Sequence, residues 1–415
     1  MLEIGVIADD LTGAAETGAA FLPAYSDVRL VGADDLAMLP AGSPAPVLAV
    51  DTHSRALAAA QARQCVELAA GRLKAWRPAH VFKKIDSCLR GNLGAEADAV
   101  IDTMDLPISF IVPSYPEMGR ITVGDIHYVN GEPVADSEFG RNADERVPES
   151  RLTLAVAVQS RHPVGHIDID TLAAGEQALR RAVEQLAAKG VRHIVFDAAE
   201  RQHLTAVAAL GLKHFPSALL VGSAGLAAAL CEQLPPAPAP SPAPVPTVAG
   251  HHLIALGTAS CRARYQVAVL QQVHPAEMVT LDPVRLADAE AAPDAAVLAG
   301  LVEALTRGDV VACIAGPRSK DWSRMAQRVA NGFGALIAAA AARIRPASLF
   351  LSGGDTAFAV LRRLGIHQLK LERMIVSGLV LSTAVGGPFR GLAVGTKPGA
   401  FGDDDALLRW RNAFA

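Results

Sequence analysis

Early in the chain, three polar stretches concentrate groups that grip anions and move protons. The first, Asp9-Asp10-Leu11-Thr12-Gly13, follows the apolar run Ile4–Ala8 and precedes a helical pattern. Two neighbouring carboxylates at a strand end have to be solvated, paired or bound to a cation. One of them is expected to take a substrate hydroxyl as hydrogen-bond acceptor or base. Thr12 is placed to cap the helix, and Gly13 lets a ligand approach its first turn. A plain capped turn is the competing reading. The second stretch, Asp51-Thr52-His53-Ser54-Arg55, also ends an apolar run. Its Arg55 suits a carboxylate held through two parallel hydrogen bonds. The third, Lys83-Lys84-Ile85-Asp86-Ser87-Cys88-Leu89-Arg90-Gly91-Asn92-Leu93-Gly94, sets cations, an Asp, a Ser and two glycines between a strand and a helix starting near Ala95. Lys84 and Arg90 supply charge and the glycines free the backbone, as an anionic ligand such as a carboxylate or phosphate requires. The polar loop Pro113–Arg120 is expected to close one side of the same pocket.

A different chemistry recurs late in the chain. Gly257-Thr258-Ala259-Ser260, Ser352-Gly353-Gly354-Asp355-Thr356 and Gly395–Asp403 each follow an apolar strand, and the first two lead into helices. Glycines before a helix expose unpaired amide donors, a site for nucleotide phosphates. Lys397 is expected to serve the phosphates as an extra cation. The common alternatives are missing: there is no G-x-x-x-x-G-K-[ST], no H-R-D set, no G-x-G-x-x-G after a strand and no metal-ligand histidine spacing. A P-loop enzyme, a protein kinase and a dinucleotide dehydrogenase are thereby disfavoured.

Such groups need a frame. A chain of 415 residues suits two domains, and half of it is hydrophobic with only 5% aromatic, a mix that packs helices closely on sheets. Apolar runs at Ile4–Ala8, Val47–Val50, His80–Phe82, Ile108–Val112, His193–Phe196 and Ala218–Val221 alternate with helical patterns such as Ala56–Trp76, Glu176–Lys189 and Leu204–Leu212. Later, strands at Leu253–Leu256, Val310–Ile314, Ser348–Leu351 and Leu392–Val394 alternate with helices at Arg262–Val273, Leu298–Thr306 and Thr356–Leu364. This predicts an α/β fold with mainly parallel sheets flanked by helices, whose ligands bind beyond the carboxyl ends of the strands. Leu234–Val248, with seven prolines, predicts a spacer between a substrate domain (1–233) and a second domain (249–415). A formal charge of −4 without basic runs argues against a nucleic-acid partner. The five scattered cysteines fit reduced thiols in a cytoplasm. The acidic start fits no signal peptide, and no apolar run is long enough to span a membrane.

Taken together, IADDLTGAAETG at Ile7–Gly18, DTHSR at Asp51–Arg55, KKIDSCLRGN at Lys83–Asn92, PSYPEMGR at Pro113–Arg120, VGSAGL at Val221–Leu226, SGGDT at Ser352–Thr356 and TKPGAFG at Thr396–Gly402 resemble the four-carbon acid sugar kinases. The resemblance covers nearly the whole chain. It implies an acid-sugar domain, a nucleotide-binding domain and an active site in the cleft between them. It puts Asp9, Arg55, Lys83, Lys84, Ile85 and Asp86 at the substrate, where the motif reading adds Ser87 and Arg90. It puts Ser260, Gly353, Gly354, Asp355, Thr356 and Gly399 at ATP. KKIDSCLRGN looks like the D-threonate kinase branch, against a K-Y-C-S-T-F-D-S-T type segment for 3-oxo-tetronate. The implied reaction is phosphorylation of the terminal hydroxyl of D-threonate by ATP, with Mg²⁺ bridging the phosphates. Arg55 with Lys84 or Arg90 would clamp the carboxylate, and Asp9, Asp10 and Asp355 are the candidate bases. Other four-carbon acids (3-oxo-tetronate, erythronate), a non-catalytic sensor of sugar acid and nucleotide, the metal ligands and homo-oligomerisation all stay open.

Overall fold

The computed structural model describes residues 2–40, 42–141, 147–236, 249–258, 260–315 and 322–414, except the side chains of 322–324. The chain divides into two compact units, Met1–Ala239 and Pro240–Ala415. Most of the proline-rich stretch, 237–248, lies outside the described residues. No described helix is long and apolar enough to cross a membrane.

The first unit contains β1 (Ile4–Ala8), β2 (Val28–Gly32), β3 (Val47–Asp51), β4 (His80–Lys84) and β5 (Ser109–Val112). An antiparallel set follows, β6 (Arg120–Val123), β7 (Ile126–Val129) and β8 (Glu132–Pro133), then β9 (Val164–Ile167), β10 (His193–Phe196) and β11 (Leu219–Gly222). Apart from β6–β8, these strands form a parallel sheet in the order β2-β3-β1-β4-β11-β5-β10-β9. β1 and β3 are buried at every position, as strands covered on both faces must be. Register sets Ala8 opposite both Asp51 and Lys84, and Lys84 opposite Gly222, so four neighbouring strands finish level. Loops that leave such strands share one rim.

Helices α1 (Leu11–Ala19), α2 (Ala59–Trp76) and α3 (Leu93–Met104) cover this sheet. α2 buries Ala62, Val66, Ala69, Ala70 and Leu73, the three- and four-residue spacing of one helical face. It begins three residues later than the pattern predicts, because residues 54–58 first turn so that Arg55 reaches Asp9. Phe110 holds Phe196 and Phe215 edge-on at 5.2 and 5.5 Å deep in this core.

The second unit contains β12 (His252–Leu256), β13 (Glu277–Leu281), β14 (Val310–Ile314), β15 (Ser348–Ser352), β16 (Gln368–Val376), β17 (Leu379–Ala384) and β18 (Ala393–Lys397). Their order is β13-β14-β12-β15-β18-β17-β16, parallel as far as β18 and antiparallel beyond it. Leu256, Ser352 and Lys397 stand level at the carboxyl ends of three adjacent strands. The helix Ala406–Asn412 seals this core with Trp410, fully buried against Phe350, and only a glycine at 395 leaves room for the indole.

Candidate functional site

On the rim of the first unit, Asp10 caps α1 by accepting from the Gly13 amide (3.2 Å), and Thr12, expected to be the cap, donates its hydroxyl to Asp10 at 2.6 Å instead. Arg55 lies bidentate on Asp9, through Nε at 2.8 Å and Nη2 at 2.9 Å, and Nη2 also reaches Asp10 at 2.5 Å. Gly91, at φ +93°, lets the backbone pass this pair: a Cβ there would sit 3.2 Å from Asp9. Burial alone would raise the Asp10 pKa, but Arg55, then Lys84 and the Thr12 hydroxyl, outweigh it and hold the carboxyl down to about 2. Arg90 forms a second fork on Asp86, with contacts of 2.7 and 3.0 Å. Burial opposes the Asp86 charge, yet Arg90 and Arg55 keep this carboxyl far below the usual range.

The strand expected to stop at Phe82 continues through Lys84, and the alternation of a strand separates its two lysines. Lys83 turns into the interior, fully buried, to meet Glu96 of α3 at 2.7 Å and the Lys84 carbonyl. Ser54 donates to the other oxygen of Glu96. Lys84 turns to the rim. It is 5% exposed, and a Cβ on Gly13 would come within 2.9 Å of its Nζ. Among the described residues the Lys84 ammonium makes no hydrogen bond or ion pair; Asp10 and Asp86 feel its charge without touching it. Ile85 is buried and hydrogen-bonds through its amide to Gly222. Ser87 offers its carbonyl to His127 Nε2 at 2.8 Å. Burial holds the His127 pKa down to about 4, so the neutral ring donates from Nε2 and accepts at Nδ1 from the Thr122 hydroxyl. The loop Pro113–Arg120 contains a turn of 3₁₀ helix, Pro116–Met118, and leads into the strand pair that carries His127.

Three residues on or beneath this rim were given no role of their own by the sequence, although Asp51 and Ser54 lie in the DTHSR stretch. Asp51 is 1% exposed; one carboxyl oxygen accepts from the His53 amide, and the other has no partner among the described residues. Burial, then Asp10 and Asp9, push its pKa well up against the His53 amide and Arg55, so its charged form is disfavoured. Glu96 looks in sequence like an ordinary helix residue, and nothing in the DTHSR stretch tells that Ser54 reaches it. Beside the rim, a cavity of about 310 Å³ is lined by Arg55, Gly91, Asn92, Leu93 and Gln159 among others.

In the second unit the glycine-bearing turns converge. A Cβ on Gly257 would lie 1.7 Å from Thr356 Oγ1, and one on Gly399 would lie 2.4 Å from Thr258 Oγ1. The Gly257 amide donates to Ser352 and the Gly353 amide to Lys397, each through a backbone carbonyl. Gly353 takes φ +106° before the helix Gly354–Arg363, which puts Asp355 and Thr356 in the first turn. Ser260 precedes the helix Cys261–Val273, its amide held by the Thr258 hydroxyl; Ala259 lies outside the described residues. Lys397 departs from expectation. Its side chain is fully buried and its ammonium points at backbone carbonyls of its own loop, because β18 runs on to Lys397 and faces it inward.

Comparison with known proteins matches residues 4–230 to a sugar-binding N-terminal domain and residues 253–407 to a nucleotide-binding C-terminal domain. A D-threonate kinase of Cupriavidus necator is 34% identical over 97% of this chain and 95% of its own length. A D-erythronate kinase of Heliobacterium modesticaldum is 28% identical over 98% and 95%. A crystal structure described as a putative tRNA synthase from Salmonella typhimurium LT2 shares the fold, with a TM-score of 0.82, 23% identity and full coverage of both chains.

Proposed function

The chain belongs to the four-carbon acid sugar kinase family, and from that premise we propose that it moves the γ-phosphoryl group of ATP to the terminal hydroxyl of D-threonate, giving 4-phospho-D-threonate and ADP. The observation that carries the reading is Lys84, a rim cation almost wholly buried yet without a partner among the described residues. A buried ammonium is costly unless a counter-charge reaches it, and the carboxylate of a sugar acid supplies one. Arg55 is committed to Asp9 and Asp10, and Arg90 to Asp86, so these arginines fix the carboxylates that face the sugar hydroxyls.

Asp10, held ionised down to about 2, is a weak base but a charged acceptor. That suits orienting the attacking hydroxyl, since phosphoryl transfer through a loose transition state rests on positioning and charge more than on early proton removal. The turns at 257–260, 352–356 and 397–403 are assigned to the triphosphate. No cluster of His, Cys, Asp or Glu among the described residues forms a metal cage. Mg²⁺ commonly keeps one or two carboxylates beside substrate phosphates; Asp355, at the helix start, would be the carboxylate near it.

The preference for D-threonate rests on the KKIDSCLRGN segment and on the higher identity to a D-threonate kinase than to a D-erythronate kinase. ADP release is measured with ATP and Mg²⁺ over D-threonate, L-threonate, D-erythronate and 3-oxo-tetronate, followed by location of the phosphorylated carbon. D-Threonate is expected to give the highest kcat/KM, with phosphate on its terminal oxygen. A higher value for another acid moves the specificity, and no ADP release with any of them removes the kinase reading.

A further inference from the structure

The segment that follows β18, residues 398–403, has an unusual distribution of hydrogen bonds. Lys397 Nζ donates to the carbonyls of Pro398, Gly399 and Phe401 at 2.9, 3.2 and 3.0 Å. From the helix Cys261–Val273, Gln266 Nε2 lies 3.1, 3.1 and 2.8 Å from the carbonyls of Phe401, Gly402 and Asp403. Both side chains are fully buried. Five of the six carbonyls in the segment therefore face inward to two side-chain donors. Its amides are treated differently. Among the described residues, those of Gly399, Ala400, Gly402 and Asp403 donate to nothing, while that of Phe401 donates to the Pro398 carbonyl. Gly402 takes φ +83°, which allows the chain to reverse around the two donors.

A backbone whose carbonyls are all drawn to one side presents its unpaired N–H groups on the other, and consecutive outward amides make an anion-binding concavity. We infer that Gln266 and Lys397 are positioning residues for the nucleotide: buried donors that pull the carbonyls of 398–403 inward and so aim its amides at the phosphates. The inference rests on the nucleotide reading above and adds two residues to it, neither of which touches the ligand. Gln266 suits the task because its amide is neutral and donates without adding charge behind the phosphates. The three carbonyls around Nε2 fix the amide with its donor side towards them, and Oε1 is buried without a partner among the described residues. Lys397 suits it because three carbonyl dipoles surround the ammonium that burial would otherwise expel.

The test is the variant Gln266→Leu in the full chain, read by direct binding of a fluorescent ATP analogue and by steady-state kinetics. The expected result is a rise of about ten- to a hundredfold in nucleotide Kd and in KM for ATP, with KM for the sugar acid within about twofold of wild type. Lys397→Met is expected to act in the same direction. The double variant should fall short of the product of the two effects, because both donors share the Phe401 carbonyl. A wild-type protein that binds no ATP overturns the nucleotide reading itself. Wild-type binding with Gln266→Leu equally tight overturns this inference alone, as does an equal loss for acid and nucleotide. Folding is checked by circular dichroism. If Gln266→Leu does not fold, Gln266→Asn, which keeps the amide but withdraws it by one methylene, is judged by the same split.

Discussion

The two anion sites proposed above are built from opposite materials. The rim of the first is built from charged side chains that already neutralise one another: Arg55 across Asp9 and Asp10, Arg90 across Asp86, and Lys84 left over. The rim of the second is built from backbone, with three glycine-bearing turns brought together by mutual packing and buried donors behind them. A small acid that must be told from its stereoisomers calls for directed side chains, each with its own geometry. A triphosphate is large, symmetric and strongly charged, and peptide N–H groups at helix starts hold it without reading stereochemistry. The difference also predicts how each rim fails.

The most damaging change lies beneath the first rim. Lys83→Met strands Glu96 in the interior without its cation, and removing one partner of a buried pair costs about 3–5 kcal/mol. Urea denaturation should show that loss, and a cost below about 1 kcal/mol would mean that the pair is not the keystone of the layer between β4 and α3. Lys84→Met is expected to cost far less stability than Lys83→Met, since no hydrogen-bonded partner is orphaned and Asp10 and Asp86 lose only a nearby charge. It should raise KM for the acid by about 10- to 100-fold, the worth of one charged hydrogen bond of ~1.5–3 kcal/mol, with KM for ATP unaffected. Gly257→Ala is its counterpart: the new methyl displaces Thr356, so KM for ATP should rise about tenfold while that for the acid stays put. Equal shifts in both constants for either variant would erase the contrast between the rims.

The units should also part company with pH. Asp10 has its folded pKa held down to about 2 against 3.8. Its stabilising contribution, ~2 kcal/mol, is complete above about pH 4 and disappears as pH falls through about 2. Lys397 is pulled down to about 7 from 10.5 by burial, with Arg262 adding to the effect. The unfolded chain therefore binds the extra proton between about 7 and 10.5, and stability of the second unit should climb across that window. Chemical denaturation from pH 2 to 10.5 checks both slopes: Asp10→Asn should flatten the acid one and Lys397→Met the alkaline one. The smallest effect is expected at Asp51. A carboxyl whose charge burial disfavours should tolerate an amide, so Asp51→Asn is expected to change stability by less than ~0.5 kcal/mol at neutral pH; a larger loss would show the group to be ionised.

Much of this was legible in the amino acids. Strands at Ile4–Ala8, His193–Phe196 and Val310–Ile314 coincide with the structure because fully buried parallel strands announce themselves as short unbroken apolar runs. The hairpin of β16 and β17, the small strands β6–β8 and the long helix Trp322–Arg343 were not assigned. Gln368–Val376 is only partly buried, so its apolar alternation is blurred by Lys370, Glu372 and Arg373. Clusters of charge and glycine marked where the rims would be, but the direction of each side chain did not follow from its type. Lys83 and Lys84 are the same letter one residue apart, and a strand that runs two residues further than its apolar core sends one inward and the other outward. Glu96 and Gln266 were invisible for the complementary reason: a helix hides which of its polar residues faces a sheet until the sheet is known.

The place of β18 in its sheet has a consequence for biosynthesis. The first unit has its last strand, β11, by residue 222, so its sheet can close while the rest of the chain is still being made. The second unit cannot do likewise, because β18, the last of its strands to be translated, sits between β15 and β17 and carries the 398–403 turn at its end. A ribosome therefore delivers a finished sugar-acid half well before the nucleotide half has a central strand. The apolar edges of β15 and β17 wait for it through that interval, open to chaperones and to mispairing.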